Sequence, residues 1–252
     1  MKNISIIIHS YNSGNIIECI LSAKLLTNNV FVIGEEKKEL GVTYIPFPNQ
    51  EIVEPAREFG ISQVKTDWVF LLDADEKMTT ELAQEIKSVI DQNLSEISYY
   101  KVPRKEIVFG KKWLKHGGWW PNYQIRLIKK SAFVSWPKTI HSTPVINGQG
   151  GYLRNGLLHY SQNDIEEIVN RTINFESKES YLLFKAGKQA NVLVFFRKFC
   201  GELWRRLLIG LGFLDGEIGI IESIYQAFSK TITYIFLYEK RIKKGGTLRS
   251  LS

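Results

Sequence analysis

An uninterrupted apolar run that ends in three acidic residues constrains this sequence more than any other feature. The run covers residues 68–72, and the acids that follow are Asp73, Asp75 and Glu76. Because apolar and polar positions do not alternate, the run is typical of a central strand in a parallel sheet with helices on both faces. Ligands of open α/β sheets bind beyond the carboxyl ends of the strands, so these acids are candidates for a ligand site.

The spacing of the acids indicates a divalent cation. Side chains alternate in an extended segment, so Asp73 and Asp75 would point to the same side and reach one ion. Mg²⁺ takes only one or two protein carboxylates and completes its oxygen shell with phosphate and water, which suits a polyphosphate substrate. The alternative is a strand-end loop whose acids cap the following helix, and this segment alone leaves both interpretations open.

The first part of the chain predicts a mixed, mainly parallel nucleotide-binding sheet with helices on both faces. Its predicted strands are 4–8, 30–33, 42–45 and 68–72. Its predicted helices are 15–26, 55–65 and 81–91, the last one capped by Thr79 or Thr80. This nucleotide-binding half would cover residues 1–98.

Beyond residue 98 the pattern changes twice. A small antiparallel, acceptor-side region is predicted from strands at 99–104, 106–109 and 124–128. Helical periodicity then begins, with predicted helices at 164–186, 190–208 and 217–239 and a frayed basic tail from Arg241 to Ser252. We therefore expect an α/β domain at 1–160, divided at residue 98, and a C-terminal helical region at 161–252.

Composition excludes several classes of protein. The 252 residues are 44% hydrophobic and 23% charged, as in folded globular proteins. Cys19 and Cys200 lie far apart in apolar stretches, so they form neither a disulfide framework nor a metal-ligand set. We see no signal peptide before the first strand, and no run reaches the roughly 18 uncharged residues of a membrane-spanning helix. A cytoplasmic protein is expected.

The net charge of +7 is unevenly spread, because lysine and arginine gather at 101–130, 197–206 and 240–249. Basic clusters beside tryptophan and phenylalanine fit an anionic membrane surface or anionic substrates. No nucleic-acid motif is present, so nucleic acid is not an expected partner. The helix at 190–208 has an apolar face flanked by cations. This face would lie on a membrane or pack against the core or a partner helix. The C-terminal helices could also pair two subunits.

Several short stretches occur in an order that is more specific than any one of them alone. They are Ser10-Tyr11-Asn12 after the first strand, Ala56-Arg57-Glu58-Phe59-Gly60-Ile61, Leu72-Asp73-Ala74-Asp75-Glu76, residues 116–127 (HGGWWPNYQIRL), Leu158-His159-Tyr160 and Phe213-Leu214-Asp215-Gly216. Together they resemble the family 2 glycosyltransferases of the GT-A fold, and within them the subgroup around the lipopolysaccharide-core glucosyltransferases. The resemblance covers most of the chain.

The resemblance implies roles for the residues around the acidic run. Asp75 would hold Mn²⁺ or Mg²⁺, and Asp73 would contact the nucleotide ribose or the metal-bound diphosphate and share the ion. Arg57 would lie beside the nucleotide or its phosphates, with Ser10 and Tyr11 near the base and ribose. Asp73 and Asp75 would thus be the catalytic residues, through the ion and the nucleotide.

The resemblance also implies roles later in the chain. His159 falls where many GT-A enzymes place a late metal-contacting residue, although an ordinary strand-end histidine satisfied by backbone is an equal alternative. Tryptophan rings suit the apolar face of a sugar, and a guanidinium suits a phosphate or carboxylate. The tryptophans could equally belong to a core. The expected substrate-binding residues are Trp119, Trp120, Asn122, Gln124 and Arg126.

Three departures from the family pattern bear on function. The second strand is followed by glycine and glutamates at 34–36 in place of an aspartate that reads the base, and Glu58 follows Arg57 where an asparagine is usual. Relatives often carry acids where this chain has Asn122 and Ser142, and neither side chain can act as a general base at neutral pH. Asp164 and Glu76 are weaker candidates, so the base stays unidentified.

These features predict an inverting, metal-dependent glycosyltransferase. It would move a sugar from a nucleotide-diphosphate donor, with a UDP-sugar favoured, to a glycan or lipid-linked acceptor in cell-envelope polysaccharide or lipopolysaccharide synthesis. It would be cytoplasmic or peripheral on the inner face of the cell membrane. A non-catalytic GT-A-fold protein that binds nucleotide or glycan is the main alternative. A sugar nucleotidyltransferase is a further one, although residues 9–14 lack its usual glycine-rich, lysine-containing loop.

Overall fold

A computed structural model describes residues 3–10, 16–34, 41–49, 52–92, 96–139, 142–162 and 165–249. These residues form two compact units. The first consists of Met1–Lys105 and Pro121–His159, and the second of Glu106–Trp120 and Tyr160–Ser252. The segment 106–120 therefore groups with the C-terminal helices.

The described chain alternates strands and helices in its first part and is helical in its last. The strands are β1 Ile4–Ser10, β2 Val30–Gly34, β3 Thr43–Pro46, β4 Trp68–Asp73, β5 Glu76–Lys77, β6 Ile97–Val108, β7 Lys112–Trp113, β8 Asn122–Lys129, β9 Phe133–Ser135, β10 Val145–Ile146, β11 Gln149–Tyr152 and β12 Leu157–Gln162. The α-helices are α1 Ile16–Ala23, α2 Glu54–Gln63, α3 Thr80–Gln92, α4 Ile165–Lys185, α5 Val192–Trp204 and α6 Gly216–Arg249.

The first unit is built on a mixed sheet in which neighbouring strands follow the order β3-β2-β1-β4-β8-β6. The pairs β2–β3, β1–β2 and β1–β4 are parallel, whereas β8 is antiparallel to both β4 and β6. The predicted class, α/β with a mixed, mainly parallel sheet, helices on both faces and a C-terminal helical region, is confirmed. The antiparallel strands continue this sheet, and β6 is one strand of 12 residues where two were predicted.

Burial on both faces explains why β1 and β4 read as unbroken apolar runs. On one face Ile6 and Phe70 belong to a core that includes the buried residues of α1 and α3. On the other face Ile7 and Leu71 pack in a second core with Ala56 of α2. These central strands are therefore covered on both sides, which leaves their carboxyl ends as the place for a site.

The second unit is dominated by α4, α5 and α6. Inside it the buried carboxylate of Glu176 on α4 accepts hydrogen bonds from Ser229, at 2.8 Å, and from Thr233, both on α6. The tail was predicted to fray from Arg241, but helix α6 continues as far as Arg249. Within the described ranges, no helix combines the length and hydropathy needed to traverse a bilayer.

Candidate functional site

Two arginines hold the carboxylate of Asp73 at the end of β4. Nη2 of Arg57, on α2, donates to its two oxygens at 2.8 and 3.0 Å, and Nη2 of Arg126, on β8, donates to Oδ2 at 2.6 Å. Burial acts to raise the pKa of Asp73, but the two guanidiniums hold that pKa well below its usual range. Asp73 is therefore ionised and firmly oriented.

Glu76 belongs to the same cluster and is fully buried. Its Oε1 lies 2.5 Å from Nη2 of Arg126 and 3.7 Å from Nη1 of Arg104, and its Oε2 accepts the backbone N–H of Asp73 at 3.0 Å. Burial raises the pKa of Glu76 even though the arginines favour its ionised form. Glu76 thus ties the turn after β4 to the arginines.

The capping role considered for the acids is filled by threonine. Oγ1 of Thr79 accepts the backbone N–H of Leu82 at 3.2 Å, which confirms the predicted cap of α3. The alternative in which the acids cap this helix is wrong for Glu76, because its carboxylate is engaged by arginines.

A β-bulge places Arg126 in this cluster. Between β6 and β8, Tyr100 lies opposite Leu127 and Lys101 lies opposite Ile125, so Arg126 is the extra residue of the bulge. Its side chain is only 3% exposed and is directed at the two acids. The charge of Arg126 between Ile125 and Leu127 was the sequence signal for this arrangement, but alternation alone does not reveal a bulge. Its predicted contact with substrate stays a prediction.

Asp75 lies beyond the strand and is more exposed than the other two acids. The strand ends at Asp73 and residues 74 and 75 form a turn, so the alternation expected through Asp75 does not continue. The Asp75 side chain is 38% exposed, and its Oδ2 lies 3.5 Å from Nε2 of His159 on β12. Burial acts to raise the pKa of Asp75, but the hydrogen bond and charge of His159 lower it overall. The fold thus brings Asp75 and His159 together.

The donor atoms at Asp75 and His159 fit one divalent cation. Carboxylate oxygen and imidazole nitrogen are ligands that Mn²⁺ accepts, and a diphosphate with water would complete its shell. The oxygens of Asp73, in contrast, already accept three hydrogen bonds from guanidiniums. Across the described residues, no group of three histidine, cysteine, aspartate or glutamate side chains could hold a metal. An ion here would therefore depend on the substrate for most of its ligands.

The residues predicted to bind the nucleotide are only partly described. Ser10 ends β1 and is 5% exposed, whereas Tyr11 lies outside the described residues. The ring of Trp136 lies 5.3 Å from the guanidinium of Arg57, and this partner was not predicted. Arg57 is thus fixed both by a carboxylate and by an aromatic ring.

His9 lies opposite Asp73 in the register of β1 and β4. It is 5% exposed, and burial together with the charge of Arg57 lowers its pKa to about 3. His9 is therefore neutral at physiological pH. No sequence pattern predicted an uncharged histidine next to the acidic cluster.

Two of the predicted substrate-binding residues begin β8. Nε2 of Gln124 donates to Oδ1 of Asn122 at 3.0 Å. Ser142, the other position where relatives often carry an acid, donates its hydroxyl to the carbonyl of Pro137 at 2.5 Å. Neither position supplies a base, and Asp164 lies outside the described residues.

The predicted tryptophans belong to the second unit. The Trp119 ring lies 5.0 Å from the guanidinium of Arg206, and Trp120 meets Trp113 edge to face at 5.2 Å between ring centroids. Asp215 holds the preceding turn, because its Oδ2 accepts the backbone N–H groups of residues 115 and 116 at 2.9 and 2.8 Å. Both tryptophans therefore pack against residues of the second unit.

An open α/β sheet with acids and arginines at the carboxyl end of a central strand defines a class of proteins that bind phosphorylated ligands there. The chain belongs to glycosyl transferase family 2, because the model of that family, described as "Glycosyl transferase family 2", matches residues 5–146. The predicted family of GT-A glycosyltransferases and the prediction of a transferase enzyme are thereby confirmed.

Bacterial relatives match nearly the whole chain. An uncharacterized glycosyltransferase of Rickettsia typhi is 30% identical and covers 99% of this chain and 91% of its own length. One of Rickettsia prowazekii is 28% identical with the same coverage. Among solved structures, S. aureus TarS 1-349 in complex with UDP-GlcNAc aligns with 96% of this chain and 92% of its own, at 12% identity and a TM-score of 0.48.

Proposed function

We propose that this glycosyltransferase is inverting and metal-dependent, and that its donor is a UDP-sugar. The acceptor is a glycan or lipid-linked glycan of cell-envelope polysaccharide or lipopolysaccharide synthesis, as the predicted subgroup implies. Metal dependence has the most direct structural support, because Asp75, whose side chain is 38% exposed, and His159 lie beside a cluster whose arginines supply positive charge.

The cluster would bind and orient the donor. When bound at Asp75 and His159, Mn²⁺ or Mg²⁺ would neutralise the negative charge that develops on the leaving diphosphate. Arg57 and Asp73 hold each other rigidly at the strand end, and the 23% exposed side chain of Asp73 can accept a ribose hydroxyl. Such prearranged groups stabilise developing charge without reorganising during the reaction.

The acceptor hydroxyl would attack the anomeric carbon from the face opposite the diphosphate and would need to lose its proton. Glu76 cannot take this proton, because its side chain has no exposed surface and is engaged by Arg126. Asn122 and Ser142 cannot take it at neutral pH. The proposal therefore assigns donor activation to the cluster and assigns no general base.

The donor proposal is tested by hydrolysis and transfer assays with UDP-glucose, UDP-galactose and UDP-GlcNAc in Mn²⁺, Mg²⁺ or EDTA. We expect turnover that requires the cation and that Asp75→Asn reduces by about two orders of magnitude or more. Asp91→Asn, an exposed aspartate on α3, is the matched control and should keep wild-type rates. Turnover in EDTA that Asp75→Asn leaves unchanged would exclude the metal role.

We also propose that the second unit contacts an anionic membrane surface. A stripe on α5 exposes Leu193 by 80%, Phe196 by 67% and Trp204 by 60%, and Ile209 continues it at 69%. Exposed apolar patches of this kind mark interaction sites. Glu202 pairs with both following arginines, at 2.5 and 2.7 Å, so apolar insertion would contribute more than charge.

Co-sedimentation with vesicles of phosphatidylcholine, with and without phosphatidylglycerol, tests this contact. Phe196→Ser should weaken binding to both, and neutralising Arg197 should weaken only binding to the anionic vesicles. The same stripe suits the pairing of two copies predicted from the C-terminal helices. Sedimentation velocity without lipid distinguishes a membrane from a second copy as the partner of this stripe. If two copies pair through it, wild-type protein should sediment as a dimer and Phe196→Ser as a monomer.

A further inference from the structure

A cleft of about 300 Å³ in the first unit lies apart from the acids of the site. Strands β6 and β8 and the segment 143–146 line it, with Tyr99, Lys101, Tyr123, Gln124 and Thr143 among its walls. Neither Asp75 nor His159 belongs to these elements. The cleft is therefore distinct from the residues proposed to hold the ion and the diphosphate.

Two lining residues of the cleft, Tyr123 and Lys101, contact a further aromatic ring, that of Tyr152. Tyr123, on the wall, meets Tyr152 edge to face with ring centroids 5.0 Å apart. Tyr152 is 60% exposed, and the ammonium of Lys101 lies 5.3 Å from its ring centroid. This ring pair therefore presents an accessible aromatic surface with a cation beside it, which suits a ligand that combines an apolar face with an anionic group.

A glycine in β11 sets the position of Tyr99, which lines the cleft. Gly150 lies opposite Tyr99 in the register of β11 and β6, and a Cβ at this position would come within 2.4 Å of the Tyr99 ring. The ring therefore lies directly against the backbone, which only glycine permits. The orientation of this ring is set by main chain rather than by mobile side chains.

Residues that line the cleft are close in sequence to residues that contact the acidic cluster. The Trp136 ring contacts Arg57, and its Nε1 donates to the carbonyl of Ser142 at 3.2 Å. Thr143, the next residue, lines the cleft. On the other side, Gln124 precedes the bulge residue Arg126 by two positions on β8. Strand β8 and the segment 136–143 therefore contribute residues both to the cleft and to contacts with the acidic cluster.

We propose that this cleft binds a pyranose ring of the acceptor glycan, with an anionic substituent of that sugar at Lys101. The exposed tyrosine rings suit the apolar face of a pyranose, and the amide of Gln124 and the hydroxyl of Thr143 suit its hydroxyl groups. The ammonium of Lys101 selects a carboxylate or phosphate. This inference rests on the proposed function, because it assigns the cleft to that reaction's acceptor.

Saturation-transfer NMR on the full chain tests the proposal, with methyl β-D-glucopyranoside and methyl β-D-glucuronide as probes. We expect transfer to the ring protons of both sugars, with the stronger signal on the glucuronide. Tyr152→Ala should lower both signals about threefold or more, and Tyr152→Phe should restore them. Lys101→Gln should lower the glucuronide signal to the level of the glucoside. Because Tyr152 is largely exposed, its replacement should leave the thermal unfolding midpoint near that of wild type.

Tyr181 provides a matched control on α4. It is 48% exposed and has the ammonium of Lys185 at 4.6 Å from its ring, so Tyr181→Ala removes a similar ring and cation pair outside the cleft. The proposal is overturned if neither sugar receives saturation from wild-type protein, or if Tyr152→Ala and Tyr181→Ala give the same signals. Hydrolysis of the UDP-sugar by the same preparation separates the two proposals. If hydrolysis depends on the metal but the sugar signals do not depend on Tyr152, only the cleft proposal is refuted. If the sugar signals depend on Tyr152 but hydrolysis does not depend on the metal, only the donor-site proposal is refuted.

Discussion

Replacing Arg126 by methionine would leave the carboxylate of Glu76 buried next to an apolar side chain. Breaking a buried ion pair from one side usually costs about 3–5 kcal/mol of folding free energy, because the remaining charge is uncompensated. Here Arg104 stays 3.7 Å from Glu76 and Arg57 still holds Asp73, which offsets part of the loss. We therefore expect about 3 kcal/mol, and an unfolding midpoint roughly 6–12 °C lower for a chain of this size.

The cost should depend on pH in a defined direction. Burial already raises the pKa of Glu76, and removing Arg126 would raise it further. A carboxyl whose folded pKa lies above its unfolded value contributes stability below the unfolded pKa and loses it as pH rises through the folded pKa. The deficit of Arg126→Met should therefore be larger at about pH 8 than at about pH 5.

Hydrogen exchange measured on peptides covering β4 and β8 reports this loss within the first unit. The double variant with Glu76→Gln should recover most of the stability, because it removes the unpaired charge together with its partner. Arg154→Met, an exposed arginine of the same unit, is the control and should change stability by less than about 0.5 kcal/mol. A neutral effect of Arg126→Met, a deficit that grows as pH falls, or no recovery in the double variant would refute the reasoning.

Three further substitutions probe other parts of the chain. Because the pKa of His9 falls to about 3 on folding, stability should drop by up to about 1.4 kcal/mol per pH unit below about pH 6.5, and His9→Gln should flatten this slope in urea unfolding. Asp215→Ala leaves two backbone N–H groups unpaired and should cost about 1–3 kcal/mol, measured as faster hydrogen exchange in residues 114–117. Gly150→Ala would place a methyl group against Tyr99 and should lower the melting temperature more than Gly201→Ala, whose added methyl group meets no neighbour within 4 Å.

Local sequence patterns predicted the elements whose environment is uniform along their length. The strands β1 and β4 are buried on both faces, so their composition matches their position in the sheet. The helices α1 and α3 have one buried face and show the corresponding period. These elements were predicted correctly because their burial sets a periodicity of apolar residues that is visible within a few consecutive positions.

The site depends on pairings between distant residues, and there the local patterns fell short. Arg126 was predicted only as a substrate contact, and local patterns did not reveal that the register shift between β6 and β8 directs it at Asp73 and Glu76. Alternation was expected to continue through Asp75, yet β4 ends at Asp73, whose backbone N–H is held by Glu76. Strand register and buried ion pairs follow from tertiary contacts that no window of sequence contains.

Asp73 and Asp75, which were predicted to share one ion, differ in their charge environment, and a final prediction follows from this difference. Around Asp73 and Glu76, three arginines outnumber two carboxylates, so the cluster keeps one excess positive charge for a diphosphate. The exposed Asp75 opposes that charge unless a cation neutralises it. Asp75→Asn should therefore tighten UDP binding about two- to fivefold in EDTA and abolish the gain in affinity that Mn²⁺ gives wild-type protein, both measured by calorimetry. Weaker metal-free binding, or an unchanged response to Mn²⁺, would show that Asp75 does not mediate between the cluster and the diphosphate.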